Sequence, residues 1–211
     1  MSPSCFLSWP RRSAVAGALA AFLALAAIGQ AQAATSEPVA VVRDVTERIV
    51  DLAATELPEA ERGRQVERLL AQNVAVERLA KAVLGRHWRT ASEAQRQRFV
   101  ALLPPYLRAT YGSRLGEARG YQLELGKPRP LTAGDMVVPA RARRDGDAPI
   151  AIDWRVTQAA DGWRILDVVV EGVSLAVAWR NEFDAVIARN GIDGLLDQME
   201  RRTAARMASA S

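Results

Sequence analysis

The chain has 211 residues, of which 25% are charged, with a formal net charge of +4, one histidine and one cysteine. A single histidine cannot build a histidine-based metal site, and a single cysteine cannot close an internal disulfide. The charges are interspersed, so there is no clustered basic stripe of the kind that binds nucleic acid.

Arg11 and Arg12 precede an apolar run of about fifteen residues from Ala14 to Ile28, and Ala31-Gln32-Ala33 fits a small-x-small cleavage site. This pattern predicts a secretory signal peptide at residues 1–33, too short in its apolar part to span a bilayer comfortably. Ser13-Ala14-Val15 departs from a twin-arginine signal, which favours general secretion. Cys5 leaves with the signal. The mature chain of about 178 residues then has no cysteine and a net charge of about +2, because Arg11 and Arg12 are lost with it. Residues 34–205 are expected to form one domain, residues 206–211 a polar tail, and export without an anchor points to the periplasm.

Apolar spacing predicts a first helix from Pro38 to Ala54, with Val42, Val45 and Ile49 on one face. A second runs from Glu59 to Gln72 with the stripe Val66, Leu69 and Leu70, and a third from Val74 to Leu84, ending at Gly85. Ser92, followed by Glu93 and Gln95, caps a long helix. Pro104-Pro105 predicts a break near Leu103 with the helix resuming to about Glu117, because an interior proline removes a hydrogen bond and clashes with the preceding turn.

After Gly120 the apolar period shortens to two, predicting strands at 121–125, 135–143, 149–158 and 163–170. Short links between them imply an antiparallel sheet. Gly172 then breaks the pattern and Ser174 offers an N-cap to a helix carrying Leu175, Trp179, Phe183, Val186 and Ile187. That helix is expected to end near Asn190 and a last short one to run from Ile192 to about Arg202. Helices, antiparallel sheet, then helices make an α+β fold with helices packed on one curved sheet.

Several segments carry a family resemblance. They are Leu84-Gly-Arg-His-Trp-Arg-Thr-Ala-Ser-Glu-Ala-Gln-Arg96, Arg98-Phe99, Tyr106-Leu107, Thr110-Tyr-Gly-Ser-Arg-Leu115, Ile152-Asp-Trp-Arg155, Gly162-Trp-Arg-Ile-Leu-Asp-Val-Val-Val-Glu-Gly-Val-Ser-Leu175, Arg180-Asn-Glu-Phe183 and Gly191-Ile-Asp-Gly-Leu195. Together, in this order, they resemble the MlaC-type, or toluene-tolerance, family of periplasmic phospholipid-binding proteins, and also its hopanoid-associated branch, HpnM. Pro104-Pro105 and Ala178-Trp179 depart from the family pattern. The resemblance implies a nuclear-transport-factor-like cone with an apolar pocket. It also implies a cargo of phospholipid or hopanoid, with neither cofactor nor metal. The implied partners are the substrate-capture subunit of an inner-membrane ABC transporter and an outer-membrane lipoprotein complex.

A lipid carrier needs only an apolar lining, since each buried methylene is worth roughly 0.8 kcal/mol. The expected lining is Leu84, Trp88, Phe99, Leu103, Tyr106, Leu107, Tyr111, Val138, Ile152, Trp154, Val169 and Val173, with Tyr106 and Tyr111 nearest the mouth. The same side chains would equally suit a filled core. Arg180, Asn181 and Glu182 read either as a brace or as a contact for a head group or partner; Arg86, Arg89 and Arg114 read as solvated helix ends or phosphate contacts. An enzyme in such a cone would need a carboxylate in an apolar pocket. Strand alternation leaves Asp167, in parity with Ile165 and Val169, as the one acid positioned for that role, whereas bonding to an arginine or to backbone would make it structural.

Overall fold

The computed structural model describes residues 37–209, without the side chains of residues 113–115 and 209. The expected signal peptide lies outside the described residues.

Helix α1 (Pro38–Ala54) starts on a proline, whose missing N–H costs nothing in a first turn. It is followed by α2 (Glu59–Asn73), α3 (Val76–Leu84) and the single turn α4 (His87–Thr90). The third helix begins two residues later than predicted. Val74 instead bridges to Ile165 in parallel, and the amide of Ala75 donates to the Ile165 carbonyl at 2.8 Å, so backbone pairing with a strand outcompetes the first helical turn.

Helix α5 (Glu93–Tyr111) opens on the predicted capping box, in which Ser92 Oγ accepts from the Gln95 amide and Gln95 Oε1 from the Ser92 amide. The predicted break near Leu103 does not occur, and Pro104 and Pro105 lie inside the helix. Phe99, Leu103, Tyr106 and Leu107 are buried on both sides of the prolines, and this burial holds the turn that the prolines weaken. A 3₁₀ segment (Gly112–Ala118) continues the chain where ordinary helix was expected.

Six antiparallel strands follow, two more than predicted: β1 (Gln122–Leu125), β2 (Arg129–Thr132), β3 (Asp135–Arg143), β4 (Ile150–Ala159), β5 (Gly162–Val170) and β6 (Val173–Ser174). Their order is β1-β3-β4-β5-β6, with β2 also paired to β3. The two extra strands are short, four and two residues, and carry too little alternation to stand out in sequence. Helix α6 (Leu175–Ser209) is broken at Gly191, whose φ is 72°, and runs past the predicted end at Arg202.

The interior has two parts. Helices α3, α5 and α6 bury a cluster in which Phe99 meets Phe183 edge-on at 5.9 Å, and Leu195, Leu196 and Met199 complete the packing. The second cluster sits between α1, α2 and one face of the sheet. Val138, Trp154 and Val168 stand opposite one another there on β3, β4 and β5, covered by Val42, Val45 and Leu69.

One irregularity decides which side chains face the helices. Arg155 pairs with Asp167 but Val156 with Ile165, so Leu166 is an extra residue and β5 carries a bulge. Beyond it the parity flips. Val168 follows Ile165 on the helix-facing side, and Asp167 and Val169 lie across from Arg155 and Asp153. The parity expected for Asp167 and Val169 from simple alternation is thereby corrected.

Candidate binding cavity

Between the two clusters is a cavity of about 250 Å³. Val45 and Ile49 of α1, Val66 and Leu70 of α2, Leu79 of α3 and Leu107 of α5 form its helical wall. The sheet supplies Trp154, Ile165, Leu166 and Val168, and α6 closes it with Leu175 and Trp179. Each helix contributes the apolar stripe that its own periodicity predicts; the stripes meet around a space that they do not fill. At the edge, Tyr111 is 37% exposed, and its hydroxyl accepts a 2.9 Å hydrogen bond from Trp179 Nε1.

Of the residues expected to line a pocket, the structure brings Leu107, Tyr111 and Trp154 to this cavity. Leu84, Phe99, Leu103 and Tyr106 are packed in the helical cluster, with Trp88 against it, because α6 lies over that face of α3 and α5. Val138 is fully buried beside Trp154. Ile152 and Val169 border a different concavity of about 430 Å³, which also takes in Glu124, Pro139, Arg141 and Asp153. Val173 is 61% exposed, outside any wall, because β6 is too short to turn it under cover. Val45, Ile49, Val66, Leu70, Ile165, Val168 and Leu175 were not expected in the lining. The stripes on the first two helices were visible in sequence, but the choice of sheet residues depends on the bulge.

Asp167 is the carboxylate at this cavity, and its oxygens are occupied. It accepts from Arg155 Nη1 at 3.2 Å, Ser174 Oγ at 2.6 Å, the Val168 amide at 2.9 Å and the Ala176 amide at 3.0 Å. Ser174 Oγ in turn accepts from the Val177 amide at 3.1 Å, the N-cap bond predicted for that residue. A carboxylate beside a helix N-terminus satisfies orphan amides and complements the helix dipole. Of the two roles open to Asp167 in sequence, the bonding is that of a brace between β5 and α6.

The other polar positions are also tied down. Arg180 Nε donates to the Ala82 carbonyl at 2.7 Å, and Glu182 accepts from Arg202 at 3.3 Å; Asn181 is exposed. Arg202 also donates to the Tyr106 hydroxyl at 3.0 Å, while burial raises the Tyr106 pKa above its ordinary value. His87 Nε2 is 2.7 Å from Asp184 Oδ1, and Arg86 holds the same carboxylate at 2.8 Å. The hydrogen bond with His87, seconded by the charge of Arg86, lowers the Asp184 pKa. This trio ties the α3–α4 turn to α6. Arg89 is exposed, and the side chain of Arg114 is outside the described ones. Among the described residues no cluster of three or more histidine, cysteine or carboxylate side chains could hold a metal ion, and no helix is long and apolar enough to cross a membrane.

Comparison with known proteins agrees with this architecture. Residues 40–201 match the family model described as "MlaC protein". The fold is similar to that of a phospholipid-binding protein from Ralstonia solanacearum, solved in complex with a phospholipid. The TM-score is 0.68 at 26% identity, covering 82% of this chain and 98% of that one.

Proposed function

Because this chain belongs to the MlaC family, we propose that its cavity holds lipid acyl chains, with phospholipid as the ligand, and that the protein is a carrier rather than an enzyme. The observation that carries this reading is the cavity itself. Aliphatic and aromatic side chains from five helices and two strands surround about 250 Å³ of space, and its one carboxylate already takes four hydrogen bonds. Such a wall gives burial and little else, and burial is what an acyl chain requires, at roughly 0.8 kcal/mol per methylene. General acid or base chemistry needs a carboxylate free to exchange its proton with a substrate, and Asp167 is committed to α6.

The secretory pattern at residues 1–33 supports a periplasmic location. In that compartment the carrier would pass phospholipid between an outer-membrane lipoprotein complex and the substrate-capture subunit of an inner-membrane ABC transporter. The lipid is cargo, and no cofactor enters this scheme.

Native mass spectrometry of the mature protein purified from a periplasmic extract tests the reading. Co-purifying glycerophospholipid, retained after gel filtration, is the expected result. A hopanoid in its place would move the ligand to the hopanoid-associated branch. A protein that carries no lipid and takes none from vesicles would overturn the carrier assignment.

A further inference from the structure

Helices α2 and α5 are joined beside the cavity by an ion pair, in which Arg108 Nη1 donates to Glu67 Oε2 at 2.9 Å. On α5, Leu107, Tyr111 and Gly112 line the cavity, and Arg108 stands within that run. On α2, Gly63, Val66, Glu67 and Leu70 recur at helical spacing, so Glu67 shares the stripe that carries the wall residues Val66 and Leu70. A Cβ on Gly112 would lie 3.9 Å from Arg108 Cγ, which puts the arginine stem at the edge of the cavity. Gly63 seats the guanidinium: a Cβ there would come within 2.7 Å of Arg108 Nε, and α2 accepts a residue that weakens a helix interior. Arg108 is the deeper partner, its side chain 14% exposed against 33% for Glu67. Among the described residues, its Nε and Nη2 have no acceptor, yet neither is sealed from solvent. A guanidinium presents five N–H groups in a fork that matches phosphate. Two helices therefore hold a cation at the edge of an apolar cavity with most of its fork open.

On the reading of the cavity as an acyl-chain site, we propose that Arg108 holds the phosphodiester of the lipid head group at the seam between α2 and α5. The chains enter the cavity, the phosphate oxygens accept from the open side of the guanidinium, and Glu67 keeps Nη1. Hydrogen bonds between ionised partners are the stronger kind, and at a partly buried arginine they are screened less than at the surface. Glu67 orients the fork and, as a like charge beside the phosphate, weakens its hold, which suits a carrier that must release its cargo. The site then selects phospholipids over uncharged lipids with the same chains.

A competition between phosphatidylglycerol and diacylglycerol with identical acyl chains, offered in equal amounts from mixed detergent micelles, decides the matter. The mature protein is recovered and its bound lipids are quantified by mass spectrometry. Phosphatidylglycerol should be retained roughly tenfold over diacylglycerol, and Arg108→Gln should bring the ratio close to one. Glu67→Gln breaks the same ion pair but removes the competing charge, so the preference should widen. If it falls in E67Q as it does in R108Q, the pair is only a brace and the proposal is overturned. Where R108Q does not fold, Gly63→Ala, whose methyl pushes the guanidinium from its seat, must lower the preference, and an unchanged ratio overturns the proposal. Excess inorganic phosphate should leave the preference in place, because the head group is tethered by its chains; its loss there assigns Arg108 to the free anion and overturns the head-group contact. Equal retention of both lipids by the wild-type protein overturns the proposal and leaves the acyl-chain cavity standing. Failure to retain either lipid overturns the carrier assignment and this inference with it.

Discussion

Ser174 Oγ donates a 2.6 Å hydrogen bond to Asp167 Oδ2, joining the last long strand to the first residues of α6. The same carboxylate receives the Ala176 amide, so strand and helix are fastened at a single side chain that is almost fully buried. Asp167→Ala would strand these donors and is expected to destabilise the protein by about 2–4 kcal/mol. Asp167→Asn retains an acceptor for the amides and should cost less. Urea unfolding of the two variants checks the order, and lipid retained by the folded Asn variant separates a brace from a reactive acid.

The cavity wall and the helical core should respond differently to mutation. Leu70 is half-buried in the wall, and Leu70→Glu places a charge where acyl chains would lie. Bound lipid measured by native mass spectrometry should fall at least tenfold. Phe99 is fully buried against Phe183, away from the cavity. Phe99→Ala should lower stability by about 3–5 kcal/mol, while the protein that remains folded keeps its lipid.

Asp135 provides a pH test. Hydrogen bonds from Arg78 to both of its oxygens, 2.8 and 3.0 Å, lower its pKa, helped by Thr157 and by Thr132 at 3.0 Å. A carboxyl with a depressed folded pKa stabilises fully above its unfolded value of about 4, and the contribution is lost as pH falls through the folded value. Asp135→Asn should therefore cost about 1–3 kcal/mol at pH 7. The gap between variant and wild type in denaturant unfolding should narrow progressively below pH 4.

Gly85 ends α3 at φ 54° and ψ −122°, a conformation that side chains resist, and an added Cβ would come within 3.2 Å of Arg180 Cδ. Gly85→Ala is expected to lower stability by about 1–3 kcal/mol. Thermal unfolding should show a lower midpoint, and Gly85→Asn, which tolerates positive φ better, a smaller loss.

The sequence by itself determined the type and order of the longer elements, but not the short turn α4, the 3₁₀ segment or strands β2 and β6. Apolar periodicity reports directly which face of a helix or strand is covered, and the caps at Ser92 and Ser174 depend on residues three positions apart. It also carried the family signature and the apolar character of the stripes on α1 and α2. Tertiary structure alone decided which stripes meet in packed core and which surround a space, because that depends on how α6 lies across α5 and how the sheet is turned against α1. Phe99 and Leu107 share one helix and one apolar pattern, yet only Leu107 reaches the cavity. Tertiary structure also decided the role of Asp167. Regular alternation would keep it in parity with Ile165, but one extra residue in β5 sets it opposite Arg155 at the edge of the cavity, where Ser174, Arg155 and two amides converge on it. A bulge is set by the pairing of two strands, and nothing within a single strand's pattern records it.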